Sequence, residues 1–552
     1  MPEWIVWVEA VNFASTILDT NDLATVRGGG LAALFVSEAV QGALANVGGP
    51  PQCLHAGASQ CAFRIATPDA AAATDAGVRN AIEAAMRAAD EKSGQPPHAY
   101  MMHVVALAPI AEPVTAQSIE AALKLAEARG HSRQFRQWTA QPIAFNPNAK
   151  AADPLDGVRP ATESTFLPGR PGPVYVSPSV KARREYGRTA RQELYASVLG
   201  DHLQPALAGA TPDFEFAPSF QDIVADPPGE AQTSVRGKIA VVYADGNGFG
   251  VARDAVGMIE FDRQLAPLRH RLLATICDWL VRGAADKTWA DVFVAENAEQ
   301  DRAALRFETI LWGGDEMAFV LPAWLATAFV EGFFRHTADW AVRTKAGESF
   351  PLTHAVGVAI GHAKVPIRQL RGIAKAAADG AKEAGLRKYN SATFEIFESL
   401  HPPDTDLFRW RESVFGAAAA PNDISRQWAL PGDDFAEVLR RLNAIVWGER
   451  RDGAEQSPFP RSQLYAVLRK LREDGRGVAE AAANEEVRTA IGTYASRAGA
   501  DRGLDISRLL LPTVGGSQRG EAMDVALVAT LWDYANPFGA DFPRFAGLGE
   551  PR

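Results

Sequence analysis

The stretch Tyr243-Ala244-Asp245-Gly246-Asn247-Gly248-Phe249-Gly250 ends an apolar run in an acid and then places three glycines within five residues. Downstream, Trp312-Gly313-Gly314-Asp315-Glu316-Met317-Ala318-Phe319 sets two acids on a tight turn between apolar runs. Small residues after a strand let main-chain amides approach an anion without interference from Cβ. Phosphoryl transfer asks for little covalent help from side chains. It needs divalent metal held by carboxylates, and close main-chain approach to phosphate. An ordinary polar turn uses the same residue types, so either stretch alone is ambiguous. Together, at matching positions of one sheet, they favour a phosphate-binding site.

The surrounding pattern supplies that sheet. Lys238 to Ala244 reads as a buried strand and residues 253–281 as helix. Leu305 to Trp312 and Met317 to Leu321 read as strands joined by the acidic turn. Trp324 to Val342 reads as helix and Leu352 to Ile360 as strand. Ile367 to Ala384 carries Ile367, Leu370, Ile373, Ala377, Ala381 and Ala384 on one helical stripe, stopped by Gly385. In this βαββαβ order the first strand neighbours the hairpin, so Asp245 and Asp315 are expected to converge on one metal. Lys382, at the end of the last helix, is a candidate phosphate contact; its plainer alternative is a solvated helix lysine.

The N-terminal region repeats the order. Residues 4–8 read as a strand, residues 19–45 as helix interrupted at Gly28-Gly29-Gly30, and 52–66 as a hairpin turning at Gly57-Ala58-Ser59. An Ala-rich helix at 70–91, a strand from Tyr100 to Leu107 and a helix from Ala116 to Ala128 follow. Gly57-Ala58-Ser59-Gln60-Cys61-Ala62-Phe63 aligns with Gly313 to Phe319, with Ser59 and Gln60 in place of the two acids. Val8-Glu9-Ala10-Val11-Asn12-Phe13 likewise aligns with Ala244 to Phe249, Glu9 opposite Asp245. The expectation is a decayed copy of the second unit.

Residues 141–236 are rich in proline and glycine, with a basic segment of Lys181, Arg183, Arg184, Arg188 and Arg191 after the helix start Ser177-Pro178. The expected reading is a solvated helix face joining domains, the alternative a phosphate or RNA contact. Residues 401–552 read as mainly helical, with Phe435, Val438, Leu439, Leu442 and Ile445 at helical spacing after Asp433-Asp434, which can cap. The expected fold class is α+β: two ferredoxin-like βαββαβ units at 1–140 and 237–400, an intervening region at 141–236, and a helical domain at 401–552.

Composition narrows the setting. A chain of 552 residues is too long for one ordinary core. The net charge of -10 argues against indiscriminate nucleic-acid binding. Three cysteines with no C-x-x-C pair support neither a disulfide framework nor a zinc ribbon and fit a reducing cytoplasm. No signal peptide is legible after Met1, and no apolar run approaches the roughly 18 residues of a membrane span.

Asp245-Gly246-Asn247, Gly313-Gly314-Asp315-Glu316, Leu352-Thr353-His354-Ala355-Val356-Gly357-Val358-Ala359 and Ala381-Lys382, in this order, resemble the palm of nucleotide cyclases. Two branches share it: the GGDEF diguanylate cyclases, and the CRISPR polymerase, the large subunit of type III CRISPR effector complexes, which makes cyclic oligoadenylates from ATP. Glu316 is followed by Met317-Ala318 and lacks the Phe of GGDEF, and the first motif lacks the Phe-Lys of diguanylate cyclases. The stretch Phe13 to Leu34 resembles the opening of the CRISPR polymerase's first palm. That resemblance implies an ATP-using nucleotidyltransferase with Mg²⁺ or Mn²⁺ on Asp245, Gly246, Asp315 and Glu316. It implies nucleotide contacts at Gly246, Asn247, Gly248, Phe249, Gly313, Gly314 and Lys382, and RNA or protein partners of a CRISPR-like defence system. GTP cyclisation and a nucleotide-binding scaffold are the alternatives. The chain departs from the family at Asn247, where a second Asp is common, and at Glu316, where the turn usually ends in Asp. It also has no His followed by Asp and lacks the family's zinc-binding cysteines.

Overall fold

In the computed structural model, residues 2–11, 16–57, 60–66, 75–136, 151–167, 170–191, 193–195, 215–229, 233–297, 302–398, 406–415, 421–451, 454–456, 459–473, 477–478, 480–498, 506–516, 518–535, 538, 542 and 545 are described. The fold is mixed α and β. Its first part runs β1 (Glu3–Val11), α1 (Leu23–Leu34), α2 (Val36–Ala45), β2 (Gln52–Ala56), β3 (Gln60–Ala66), α3 (Asp75–Met86), β4 (Met102–Pro109) and α4 (Ala116–Gln134). The sheet order is β2-β3-β1-β4, all antiparallel. Val6, Val8, Phe63, Ile65, Val105 and Leu107 alternate onto one face against α2 and α3, while Ile5, Trp7, Ala106 and Ala108 face α4. Ala58, Ser59, Asn12, Phe13 and the start of the Ala-rich helix lie outside the described residues.

The glycines Gly28-Gly29-Gly30 do not interrupt the helix. α1 runs straight through them, capped by Asp22, which accepts from the Thr25 amide at 2.9 Å. Their reason is tertiary. After the hairpin β5 (Glu163–Phe166) and β6 (Pro173–Val176), α5 (Pro178–Thr189) crosses α1 at Gly28 and Gly187. A Cβ at Gly28 would sit 1.7 Å from the Arg183 carbonyl oxygen, and one at Gly187 2.1 Å from that of Ala24. Close helix contact overrides the low helix propensity of glycine.

The same packing corrects the expectation of a solvated basic face at Arg183 and Arg184, while Arg188 is exposed as expected. Ser177 caps α5 as its sequence implies, but Arg183 is 0% and Arg184 3% exposed. Arg183 donates two hydrogen bonds to Asp19, at 2.9 and 3.0 Å, and Arg184 lies 3.3 Å from Asp22. The charges face acids far away in sequence, and neither is free for phosphate or RNA.

The second part continues through β7 (Glu215–Phe216), β8 (Lys238–Asn247), α6 (Phe249–Val256), α7 (Met258–Ala285), β9 (Val294–Asn297), β10 (Arg302–Leu305), β11 (Glu308–Trp312), β12 (Glu316–Pro322) and α8 (Ala326–Thr337). It closes with β13 (Ala341–Arg343), β14 (Ser349–Pro351), β15 (Thr353–His362), α9 (Ile367–Ala384), β16 (Ser391–Ile396), α10 (Leu407–Phe415), α11 (Pro421–Trp428) and β17 (Leu430–Pro431). Its sheet has six strands in the order β11-β12-β8-β15-β16-β17. The first four follow the connectivity of the first sheet. β16 and β17 extend it, β16 running parallel to β15 after the crossover α9.

Several boundaries differ from the sequence reading. The helix after β8 breaks at Gly257, whose φ of 93° ends α6 before α7 starts. Leu305 to Trp312 is two strands. Between them the buried Arg306 guanidinium donates to the carbonyls of Ile223 and Val294, both at 3.0 Å, and Asp226 at 2.9 Å, which turns the chain. The helix expected to reach Val342 stops at Thr337, and Trp340 packs its ring on His354.

The last part is mainly helical, with a short hairpin of Glu449–Arg451 and Ala454–Gln456: α12 (Phe435–Trp447), α13 (Arg461–Glu473), α14 (Ala481–Ala498) and α15 (Glu521–Leu531). Phe435, Val438, Leu442 and Ile445 bury the predicted stripe of α12. Asp434 makes no side-chain cap, and Asp433 instead accepts from Asn390 Nδ2 at 2.6 Å. Among the described residues no single helix is long and apolar enough to cross a membrane. The bent pair Leu23–Leu34 and Val36–Ala45 passes that test only jointly, and α1 is buried against α5.

Candidate active site

β8 is the central strand, and every residue in it is buried. It pairs on one side with β12 and on the other with β15. In the β12 register Asp245 stands directly opposite Glu316. The Gly246 amide donates to the Asp315 carbonyl at 2.9 Å, and the Gly313 amide to the Glu316 carbonyl at 2.8 Å. These bonds fix the acidic turn beside the end of β8. Asp245, Asp315 and Glu316 are thereby brought together from positions far apart in sequence.

Two lysines from α9 meet these acids. Lys382 Nζ donates to Asp245 Oδ1 at 2.8 Å. Lys375 Nζ donates to Glu316 Oε1 at 3.0 Å and to the Tyr243 hydroxyl at 3.2 Å. Arg371 lies on the same side, its guanidinium 5.4 Å from the Tyr243 ring. Lys375 and Arg371 were not singled out from the sequence. The signal was available: Lys375 precedes Lys382 by two helical turns and so shares its face.

The electrostatics follow from crowding. Asp245 is held above the ordinary carboxylate range by burial; Lys382 works against this and Glu316 adds to it. Asp315 is also raised, by desolvation and by the charges of Glu316 and, less, of Asp245; because the residue is exposed, the neighbouring acids carry more of this shift than burial does. Glu316 goes the other way: burial raises it, but the Tyr243 hydroxyl, Lys375 and Arg371 bring it below the usual value. Two acids thus resist ionising together, which is the local condition a bound cation relieves.

The glycines separate into two roles. A Cβ at Gly246 would lie 2.4 Å from the Phe249 ring, so Gly246 makes room for that ring. Gly248, in the left-handed region at φ 67°, and Gly250 and Gly314 have nothing within 4 Å of where a Cβ would be. The open main chain is therefore at Gly248–Gly250, where α6 begins with unsatisfied amides, and at Gly314. Phe249 is 3% exposed and packs on Phe261 and His354, so only its main chain is offered to a ligand. Asn247 is also buried. Its Nδ2 donates to Thr353 Oγ1 and to the Tyr389 carbonyl, both at 3.1 Å, while its Oδ1 has no partner. His354 is fully buried, without a hydrogen-bond partner on either ring nitrogen. Burial, and then the charge of Lys382, lower its pKa to about 3, so it is a neutral packing element behind Gly246.

Among the described residues no three His, Cys, Asp or Glu side chains form a ready metal cluster. What is present is a pair of raised carboxylates beside an open main chain. That donor set fits Mg²⁺, which is usually held by one or two carboxylates plus substrate phosphates.

The first sheet repeats this geometry with altered chemistry. Glu9 stands opposite Gln60 across β1 and β3, as Asp245 stands opposite Glu316, and the next pairs match in step: Trp7 with Ala62 and Tyr243 with Ala318. His131 on α4 lies 3.6 Å from Glu9, in the position that Lys382 on α9 takes toward Asp245.

No protein-family profile matches the sequence, and no curated protein matches it. Among solved structures the chain aligns with Csm1 in T.onnurineus at 12% identity and a TM-score of 0.48, covering 97% of this chain and 70% of that one. It aligns with the Csm1-Csm4 cassette in complex with pppApApA at 11% identity and a TM-score of 0.47, covering 96% and 69%. The type III-B Cmr-beta structure in the apo state gives 10% identity and a TM-score of 0.47, covering 97% and 82%. Along nearly its whole length the chain aligns with these Csm1 and Cmr-beta structures.

Proposed function

We propose that the protein is a metal-dependent nucleotidyltransferase that converts ATP into a cyclic oligonucleotide, acting with RNA or protein partners of a CRISPR-like defence system. The observation that carries this reading is the cross-strand pair Asp245–Glu316 with Asp315 locked beside it and two lysines held on the acids. A merely structural turn has no need of three acids and two lysines in one place.

In this reading Asp245 and Asp315, with the Gly246 main chain, hold Mg²⁺ or Mn²⁺, which would supply charge stabilisation at the α-phosphate. Lys382 and Lys375 orient phosphate oxygens. The main chain of Gly248–Gly250 and of Gly314 lets phosphate approach closely, while Gly313, its amide on the Glu316 carbonyl and its carbonyl accepting from Arg269, holds the turn in place. The 3′-hydroxyl oxygen of one nucleotide attacks the α-phosphorus of another and the bond to the leaving pyrophosphate breaks; Glu316, acting as base, receives the hydroxyl proton, or, where it serves as a ligand, that proton passes to solvent. The first sheet, with Glu9 and Gln60, is read as a decayed palm that cradles the acceptor nucleotide. Residues 1–140 and 237–400 are then the two palms, 141–236 the region between them, and 401–552 the helical domain.

The test is incubation of the purified protein with Mg²⁺ and ATP or GTP separately, followed by mass spectrometry. A cyclic adenylate from wild type and none from Asp315→Asn is the expected result. A guanylate product would favour the diguanylate-type reading. Nucleotide binding without product from either, with or without target RNA, would leave a scaffold.

A further inference from the structure

One helix, α7, touches both sheets. Its first residue, Met258, packs on the first sheet against the cluster of Ile5, Trp7, Leu54 and Ala62. One turn further on, Asp262 meets the end of β2. The Ala56 amide donates to Asp262 Oδ2 at 3.2 Å, and His55 Nδ1 lies 3.1 Å from the same oxygen. The His55 ring lies parallel to that of Trp7, with 6.2 Å between centroids. Two turns beyond Asp262, on the same side of the helix, Arg269 meets the acidic turn, where its Nη1 donates to the Gly313 carbonyl.

Arg269 is poorly served for a buried cation. It is 7% exposed, this is its one hydrogen bond among the described residues, and its Nε has no partner. Burial lowers its pKa; Asp262 opposes this most, then Asp315. Burial in turn raises Asp262, but His55, then Arg269 and the Ala56 amide, bring it below the ordinary carboxylate range. A buried guanidinium with unmet donors stays where opposite charge holds it.

We propose that Arg269 is the positioning residue of the acidic turn, and that Asp262, anchored on the first sheet, holds Arg269 in place. The first sheet then acts on Asp315 and Glu316 through α7. This role rests on the reading of the acidic turn as the metal-holding element of the proposed reaction.

Amide hydrogen exchange of the full chain, without metal or nucleotide, reads the turn directly, because the Gly246 and Gly313 amides are bonded across it. Asp262→Asn keeps the shape and loses the charge, and with its side chain 19% exposed the fold should hold. Exchange in the peptides carrying Gly246 and Gly313 should rise about fivefold or more, with β15 and β16 unchanged. His55→Phe, which keeps a ring against Trp7, should act in the same direction. Arg269→Met should loosen the turn at least as much, and Asp262→Asn added to it should do nothing further. In synthesis, Asp262→Asn should lower kcat by about tenfold or more at unchanged KM for ATP, since a misplaced turn slows the chemical step. Unchanged exchange at the turn, an equal rise throughout the sheet, additivity with Arg269→Met, or a shift in KM without loss of kcat would overturn the proposal. Faster exchange at the turn, in a protein whose wild type makes no product, would sink the nucleotidyltransferase reading and uphold the link from Asp262 through Arg269.

Discussion

Lys382 Nζ lies 2.8 Å from Asp245 Oδ1, and both side chains are nearly buried, so the last turn of α9 delivers a positive charge to the end of β8. On the proposed function this ion pair lies where a triphosphate would meet the acids. Lys382→Met should therefore weaken ATP·Mg²⁺ binding by tenfold or more, the scale of a hydrogen bond to a charged group at roughly 1.5–3 kcal/mol. The thermal shift on adding ATP and Mg²⁺ measures it. An unchanged shift would remove Lys382 from the site.

The raised pKa values of Asp245 and Asp315 have a consequence for stability. A carboxyl whose folded pKa lies above its unfolded one favours folding while protonated. That contribution is present below the unfolded value and is lost as pH rises through the folded value. At pH 7 the ligand-free protein thus carries a cost at Asp315, whose neighbours Glu316 and Asp245 are both acidic. Asp315→Asn should raise the melting temperature at pH 7, and the difference from wild type should shrink toward pH 4. A lower melting temperature at pH 7 would mean that the Asp315 charge is stabilising.

The α1–α5 crossing should tolerate almost nothing. Gly28→Ala drives a methyl group into the Arg183 carbonyl, and neither backbone can yield without moving a helix. A loss of about 3 kcal/mol or more is expected, at the upper end of overpacking costs. Arg183→Glu should cost roughly 3–5 kcal/mol, because it leaves Asp19 facing a like charge. Chemical denaturation checks both. A soluble, fully stable Arg183→Glu would restore the solvated reading of that helix.

Arg27 and Glu308 join the two halves. Arg27 Nε donates to Glu308 Oε2 at 2.7 Å, with exposures of 3% and 1%. Arg27→Met or Glu308→Leu alone should cost roughly 3–5 kcal/mol, because each strands a buried charge. The double variant should recover most of that loss. Additive losses in the cycle would show that the two groups are not coupled.

What the sequence made legible was local. Asp245, Asp315 and Glu316 could be read because a strand, an acid and small residues follow one another, and because the βαββαβ order puts the first strand beside the hairpin. Lys382 was legible for the same reason, at the end of a strongly amphipathic helix. What was hidden depended on distant partners. Arg183 and Arg184 look like a surface pair until Asp19 and Asp22 arrive from another helix. Gly28 reads as a break until α5 lies against it. β16 has no hairpin to announce it, since its pairing with β15 is parallel and waits on the whole of α9.

The last prediction separates the two sheets. Glu9 and Gln60 hold the register of Asp245 and Glu316, and His131 stands toward Glu9 as Lys382 does toward Asp245. Their chemistry has weakened at each position. Gln60 is neutral where Glu316 is charged, and His131 is half exposed and 3.6 Å away where Lys382 is buried at 2.8 Å. One carboxylate beside a neutral amide holds Mg²⁺ poorly. On the proposed reading the frame of the first sheet would still position a nucleotide, because its four strands and the helices on both faces keep their pairing and packing. Asp315→Asn should therefore abolish synthesis, through loss of charge stabilisation in the transition state. Glu9→Gln should slow it by less than about tenfold, roughly 1.4 kcal/mol. Product formation measured by chromatography on the two variants decides. If Glu9→Gln is as inactive as Asp315→Asn while both remain folded, the first sheet takes part in the chemistry itself.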